Sequence, residues 1–310
     1  MSELSEAVER YLSMRRRLGF KFVREGHALV DFAAFCEQHG ASTITTQLAV
    51  RWATLPQDAL ASHWARRLTI VRGFAKYRSA TDPETEVPPL GLLPHRYRRK
   101  PPHLYSDQEL ESLIEAAQRL PSKTGLRART YTCVFTLLAI TGMRVGEVMG
   151  LDCDDVDLDQ QTLVVRCTKF GKSRLVALHA SSADALRRYA RFRQRCRPKP
   201  TCPAFFVSET GTRLTYWSLR ATFVRLSQEI GLREPTDSHG PRLHDFRHSF
   251  AVRTLLEWYR AGVDVEPRMP VLATYLGHAH VSDTYWYLSA APELMRLAAE
   301  RVELQRGGRP

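Results

Sequence analysis

Four short stretches of this chain carry side chains suited to handling a phosphate, in a fixed order. TGMRVGE at 141–147 sets Arg144 after a glycine turn at a helix start. Glu147, three residues on, shares its helical face and can orient the guanidinium. KFGKSRLVAL at 169–178 places Lys169 and Lys172 at a turn between two β-rich runs. LHDFRHSFA at 243–251 puts His244 and Arg247 one helical turn apart, with Leu243, Phe246 and Phe250 on the apolar side. YLGHAHVSDTYWYL at 275–288 supplies His278 and, nine residues later, Tyr287 beside Trp286. Fixed cations, imidazoles and a phenol suit nucleophilic attack on a phosphodiester. Each pattern alone has an ordinary reading: a structural ion pair, a chance HxxR, an aromatic stripe in a core. The weight lies on their combination. No GxxxxGK[ST] loop, HExxH or Asp-rich cluster is present, so nucleotide hydrolysis and metal-dependent phosphodiester chemistry have no support in the sequence.

The rest of the chain must position those groups. With 310 residues and 44% hydrophobic content it is long enough for two cored domains, which excludes wholesale disorder. Apolar residues recur at helical spacing in Leu4, Val8, Tyr11 and Leu12, and again in Ala28, Phe32, Phe35 and Cys36. Further helices are expected at 46–54 and 60–79, so residues 1–80 read as a small helical domain. TDPETEVPPLGLLPHRYRRKPPH at 81–103 has six prolines and reads as a basic linker. A capping box of Ser106 and Glu109 then starts the larger unit, 104–310. Within it, runs at 162–168 and 173–178 form a β-hairpin with lysines at its tip, and helices resume from Ser181, Tyr216, Arg242 and Pro292. The fold class expected is mainly α with a small β-hairpin or sheet, an α+β arrangement in two domains.

Forty-five Lys and Arg against 33 Asp and Glu leave a formal charge of +12, concentrated in HRYRRK at 95–100 and RRYARFRQRCRPK at 187–199. Such runs also occur as plain solvated faces, but a polyanion is the partner they suit. The longest nearly apolar run, YTCVFTLLAI at 131–140, is far short of the ~20 residues a bilayer needs. The charged, amphipathic N-terminus does not read as a signal sequence. A soluble, cytoplasmic protein with no membrane partner is expected. Six cysteines without a CxxC pair read as structural thiols, and no metal site is expected from them.

Taken together, the ordered set Arg, hairpin Lys, HxxR, GH, Tyr resembles the tyrosine recombinases, or phage-type integrases, over about 104–310. The resemblance implies a helical core-binding domain ahead of a catalytic one, the pair forming a clamp on duplex DNA. It implies that Tyr287 is the nucleophile, forming a 3′-phosphotyrosyl link, and that Arg144 and Arg247 hold the non-bridging oxygens. Lys169 would be the acid for the leaving 5′-oxygen, with Lys172 its rival. His244 would assist proton transfer or bond the phosphate, His278 would donate to a non-bridging oxygen, and Glu147 would be the supporting acid. No metal, ATP or other cofactor is implied. The implied partners are double-stranded DNA, further copies in a homotetramer on synapsed DNA, and accessory recombinases, at the nucleoid.

Among recombinases, the TYWYLSAAPEL ending favours integration or transposition of a mobile element over dimer resolution. A non-catalytic DNA-binding protein on the same scaffold, or a relaxing topoisomerase, are the alternatives. Two features depart from the common pattern or leave a choice. Arg247 and His278 stand 31 residues apart, implying an enlarged loop, and Tyr285 and His280 lie close enough to compete with Tyr287 and His278. The tail after Tyr287, with Leu294, Leu297, Ala298 and Val302 in phase, reads as a helix packing on its own domain or, by resemblance, docking on a neighbour.

Overall fold

The structure, a computed structural model, describes residues 2–94, 101–166, 173–237, 240–289 and 291–307. Lys169 and Lys172, expected from the sequence at a hairpin tip, and the basic run 95–100 lie outside the described residues. The chain divides into two compact units at 100/101.

The first unit holds α1 (Glu3–Arg17), α2 (Val23–Gln38), α3 (Thr46–Thr54) and α4 (Ala61–Arg78). Side-chain caps start two of these helices, α1 and α3: Ser5 N–H donates to the Ser2 hydroxyl, and Leu48 N–H to that of Thr45. Glu3 and Glu6 at one end of α1 and Arg15–Arg17 at the other complement the helix dipole. The apolar stripes meet in one core around Leu4, Leu12, Phe32, Trp52 and Phe74. There Phe32 packs edge-to-face on Trp52 at 5.2 Å. The described parts of the proline-rich stretch, 81–94 and 101–103, are not helical, and the first lies on this core. Glu86 N–H donates to Ile44 O, Thr46 N–H donates to the Glu86 carboxylate, and Val87 and Leu93 pack on the apolar cluster.

The second unit is also mainly helical. Helix α5 (Asp107–Gln118) opens on the expected capping box, with Ser106 N–H donating to the Glu109 carboxylate at 2.8 Å. Helix α6 (Leu126–Thr141) is apolar nearly all round and runs through the middle, packed by α5, α7 (Val145–Gly150), α8 (Ala180–Cys196) and α10 (Asp245–Arg260). Phe135, Phe223 of α9 (Tyr216–Glu229) and Phe246 fill the space beside it.

The antiparallel sheet has the order β1 (Val156–Asp157), β2 (Thr162–Val165), β3 (Arg174–Ala177). The two longer strands are the expected hairpin; β1 is too short to carry a period in the sequence. Its register pairs Leu163 with Val176 and Val165 with Arg174, so Arg174 shares the face of three buried aliphatic residues. Helix α10 starts three residues after Arg242 because Arg242 N–H bonds the Asp245 carboxylate in a preceding turn. Its second half packs with α11 (Met269–Leu276), α12 (Ser282–Tyr285) and α13 (Pro292–Gly307) around a smaller core containing Leu255, Leu276, Tyr287 and Leu294. The 31-residue separation of Arg247 and His278 is taken up by the rest of α10, a short connection with a 3-10 turn, and α11. No helix among the described residues is long and apolar enough to cross a membrane.

Candidate active site

Two glycines at helix ends bring the site together. Helix α6 stops at Gly142, which has φ +59°; a Cβ there would lie 2.6 Å from the Phe250 ring, so both backbone and space require glycine. Helix α11 stops at Gly277, φ +72°, where a Cβ would lie 2.7 Å from Arg174 Nη1. The carbonyl exposed at each end accepts from an arginine of another segment. Arg247 Nη1 donates to Gly142 O at 2.9 Å, and Arg144 Nη2 donates to Gly277 O at 2.8 Å. Three stretches far apart in sequence are thereby tied to one place.

Arg144 is the residue before α7, and Glu147 on the first turn closes back on it. The Glu147 carboxylate accepts from Arg144 N at 2.9 Å and Arg144 Nη1 at 2.8 Å. Burial pushes this carboxyl up, but hydrogen bonds from Arg174 and Arg144 outweigh it and hold its pKa down to about 2. Arg247, one turn into α10, is only 2% exposed. Its Nη1 is bonded, whereas Nη2 is buried with no hydrogen-bond partner among the described residues. Five other buried arginine nitrogens among the described residues, the Nε atoms of Arg15, Arg67, Arg72, Arg197 and Arg233, are also unbonded; what sets Arg247 Nη2 apart is its place in the field of Arg144 and Tyr287. Burial lowers this group to about 10, the Tyr287 phenol opposes the shift, and Arg144 adds to it.

The imidazoles lie in the same field. His244 precedes α10, and His278 directly follows Gly277. Burial, with the charges of Arg247 and Arg144, lowers both to about 4, so both are neutral near pH 7. His278 Nδ1 is 2.6 Å from the hydroxyl of fully buried Thr284.

Tyr287 stands in a 3-10 turn, Trp286–Ser289, and is 2% exposed. Its ring is stacked on His278 at 6.0 Å, tilted against His248 at 5.6 Å and edge-on to Trp286 at 5.4 Å. Tyr285 is 44% exposed and His280 lies at the surface, so neither competitor is in this cluster.

The structure therefore brings Arg144, His244, Arg247, His278 and Tyr287 together, with Glu147 behind Arg144. Lys169 and its rival Lys172 are outside the described residues. Sequence reasoning missed several supports: Arg174, His248, Thr284 and the two glycine carbonyls. His248 was in plain view beside Arg247. The signal for Arg174 was its phase, since it alternates with Leu175, which is exposed, and shares the face of Val176, which is buried.

Residues 104–293, more than half of the chain, match the phage integrase family. The chain belongs to that family and is a tyrosine recombinase, an enzyme of site-specific DNA recombination. It is 50% identical over 307 residues to a putative integrase/recombinase, y4rB, of Sinorhizobium fredii (strain NBRC 101917 / NGR234), covering 98% of each chain. It is 30% identical over 258 residues to tyrosine recombinase XerD of Ralstonia nicotianae (strain ATCC BAA-1114 / GMI1000), covering 82% of this chain and 77% of that one. Among solved structures, the Tn1549 transposon integrase in complex with transposon right end DNA has a TM-score of 0.68 at 16% identity, covering 97% of this chain and 98% of that one. XerH bound to palindromic difH substrate has a TM-score of 0.67 at 20% identity, covering 96% and 85%. At those identities the likeness concerns the fold.

Proposed function

We propose that this recombinase binds duplex DNA and exchanges strands through a covalent link to Tyr287. The phenolic oxygen attacks the phosphorus of a phosphodiester in line. A Tyr–O–P bond forms, the bond from phosphorus to the 5′-oxygen breaks, and the chain holds a 3′-phosphotyrosyl end while a 5′-hydroxyl departs. A second 5′-hydroxyl reverses the step on another strand. One phosphodiester replaces another, so the bond energy is retained and neither ATP nor metal enters the balance.

Arg144 and Arg247 bind the non-bridging oxygens, where charge grows in the pentavalent transition state, and their planar forks suit that task. His278 donates from Nε2 when its Nδ1 accepts from Thr284. His244 takes the phenolic proton or bonds the phosphate, and its neutrality near pH 7 leaves a nitrogen able to accept. Lys169 protonates the departing 5′-oxygen, with Lys172 the alternative. Residues 1–80 supply a further DNA-binding domain joined by the basic linker 81–103 to the catalytic domain 104–310. Phosphate contacts dominate affinity and a few base contacts choose the site. Four copies on two synapsed sites, with accessory recombinases where the element supplies them, complete the assembly. A mobile element's integration or transposition is the reaction favoured.

The observation that carries this reading is the buried, partnerless Arg247 Nη2 beside Tyr287, with Arg144 in the same field. Incubated in EDTA with a nicked DNA bearing its own site, the protein is expected to form an SDS-resistant adduct at Tyr287. Cleavage that needs Mg²⁺, or an adduct mapped to Tyr285, defeats the proposal.

A further inference from the structure

Glu147 accepts four hydrogen bonds, and only half of them come from Arg144. Arg174 on β3 supplies the others: Nη1 to Oε1 at 3.0 Å and Nη2 to Oε2 at 2.8 Å. Its Nε donates to Tyr275 O at 2.8 Å, so the fork is fixed on three sides. The Arg174 side chain is 11% exposed and that of Arg144 32%, so of the two cations only Arg144 faces outward. Charge accounting gives the consequence. A buried carboxylate paired with Arg144 alone would cancel the charge that Arg144 must offer to a phosphate and draw its fork inward. With Arg174 present the trio carries one net positive charge, and it lies on the open side. Arg174 also occupies the space below Gly277, whose carbonyl holds the other nitrogen of Arg144.

We propose that Arg174 is a positioning residue that neutralises Glu147, leaving Arg144 with an uncancelled charge for the scissile phosphate. The inference rests on the reading of Arg144 as a phosphate ligand. It assigns to the sheet a role beyond carrying the lysines: the strand after the hairpin tip sets the strength of the anion site.

The test is a double-mutant cycle in the full chain. It reads the affinity for inorganic phosphate and orthovanadate by calorimetry, and adduct formation on nicked DNA. Arg174→Met should weaken anion binding and slow the adduct by about thirtyfold, the scale of an unbalanced charge at a part-buried site. Adding Glu147→Gln should return about tenfold of that, because the carboxylate competing for Arg144 is gone. Arg174→Lys keeps the charge and loses the fork, and should stay within about fivefold of the native protein. A purely structural loss of the Tyr275 bond would not be repaired by Glu147→Gln, so additive effects in the cycle overturn the proposal. So does a lysine variant as poor as the methionine one. If Arg174→Met does not fold, Arg174→Lys decides alone: an anion affinity within about fivefold of native supports the proposal, and a loss of about thirtyfold overturns it. The two readings fail separately. Anion binding that follows the cycle with no covalent DNA adduct sinks the strand-exchange chemistry alone, whereas adducts with an additive cycle sink the Arg174 assignment alone.

Discussion

The arginine corner and the tyrosine segment lie side by side yet are built on different principles. Arg144 is held by a carboxylate and a helix-end carbonyl, Arg247 by another helix-end carbonyl, and both carbonyls belong to glycines at positive φ. Tyr287 stands on two short helical pieces, Ser282–Tyr285 and Trp286–Ser289, and its ring packs against His248, His278 and Trp286 beside a small apolar core. Bonds to main-chain carbonyls and a carboxylate define the first region, and ring packing is prominent in the second. Preorganised donors lower the barrier without reorganising at the moment of reaction. Under the proposed chemistry, a phenol 2% exposed must instead be presented to the phosphate. In the proposed reaction, a phosphate on the arginines would supply an acceptor for Arg247 Nη2 and the target for the phenol.

The largest effect belongs to the tyrosine side. Tyr287→Phe removes one oxygen from a packed ring and should cost adduct formation by about 10⁴-fold or more, with DNA binding in a gel-shift assay retained. Tyr285→Phe, at an exposed position, should react at nearly the native rate. Equal losses in both variants would break the division between a fixed anion site and one presented phenol.

On the fixed side, Gly142→Ala should act on fold and chemistry together. It forces a Cβ to within 2.6 Å of Phe250 at φ +59° and moves the carbonyl that holds Arg247. A loss of about 2 kcal/mol or more in denaturant unfolding is expected, with a fall in adduct rate larger than that instability explains at low temperature. Gly146→Ala, where nothing lies within 4 Å, is the control and should change little.

That contrast also separates what was legible in the sequence. The helices at 46–54 and near 60–79, the Ser106 capping box and the hairpin were readable because periodicity and caps are local. The set Arg144, His244, Arg247, His278 and Tyr287 was readable as an ordered combination of motifs. The glycine carbonyls were not, because a main-chain acceptor carries no residue signature and Gly277 could be paired with Arg144 only once 133 residues of chain had folded. Arg174 was quoted inside a motif and passed over, since the lysines nearby drew the chemical reading. The packing of 86–93 on the first core was hidden by its prolines, which exclude a helix but not an extended segment.

Acidification should sharpen the comparison next. His244 and His278 are held near 4 in the folded chain, against about 6.5 when unfolded. The unfolded chain therefore binds more protons in that window, and stability rises with pH. Stability should be full above about pH 6.5 and fall progressively toward pH 4. Replacing His244 and His278 together with Gln should flatten that part of a stability–pH curve. A curve unchanged by the double substitution would mean the imidazoles are not held neutral by burial and the arginine charges.

The smallest expected effect lies at the hinge between the two regions. Thr284 is fully buried, bonds His278 Nδ1 at 2.6 Å and belongs to the short helix leading to Tyr287, so it couples an imidazole of the anion site to the presented segment. Thr284→Val keeps the shape and deletes the hydroxyl. The ring then loses the bond that selects its tautomer, a loss on the scale of one buried hydrogen bond, about 1 kcal/mol. Adduct formation should slow by about fivefold and unfolding free energy should fall by about 1 kcal/mol, while Thr284→Ser should stay close to native. If valine and serine behaved alike, His278 would be oriented by the Gly277 turn alone, and the tyrosine segment would be free of the arginine corner until a phosphate joined them.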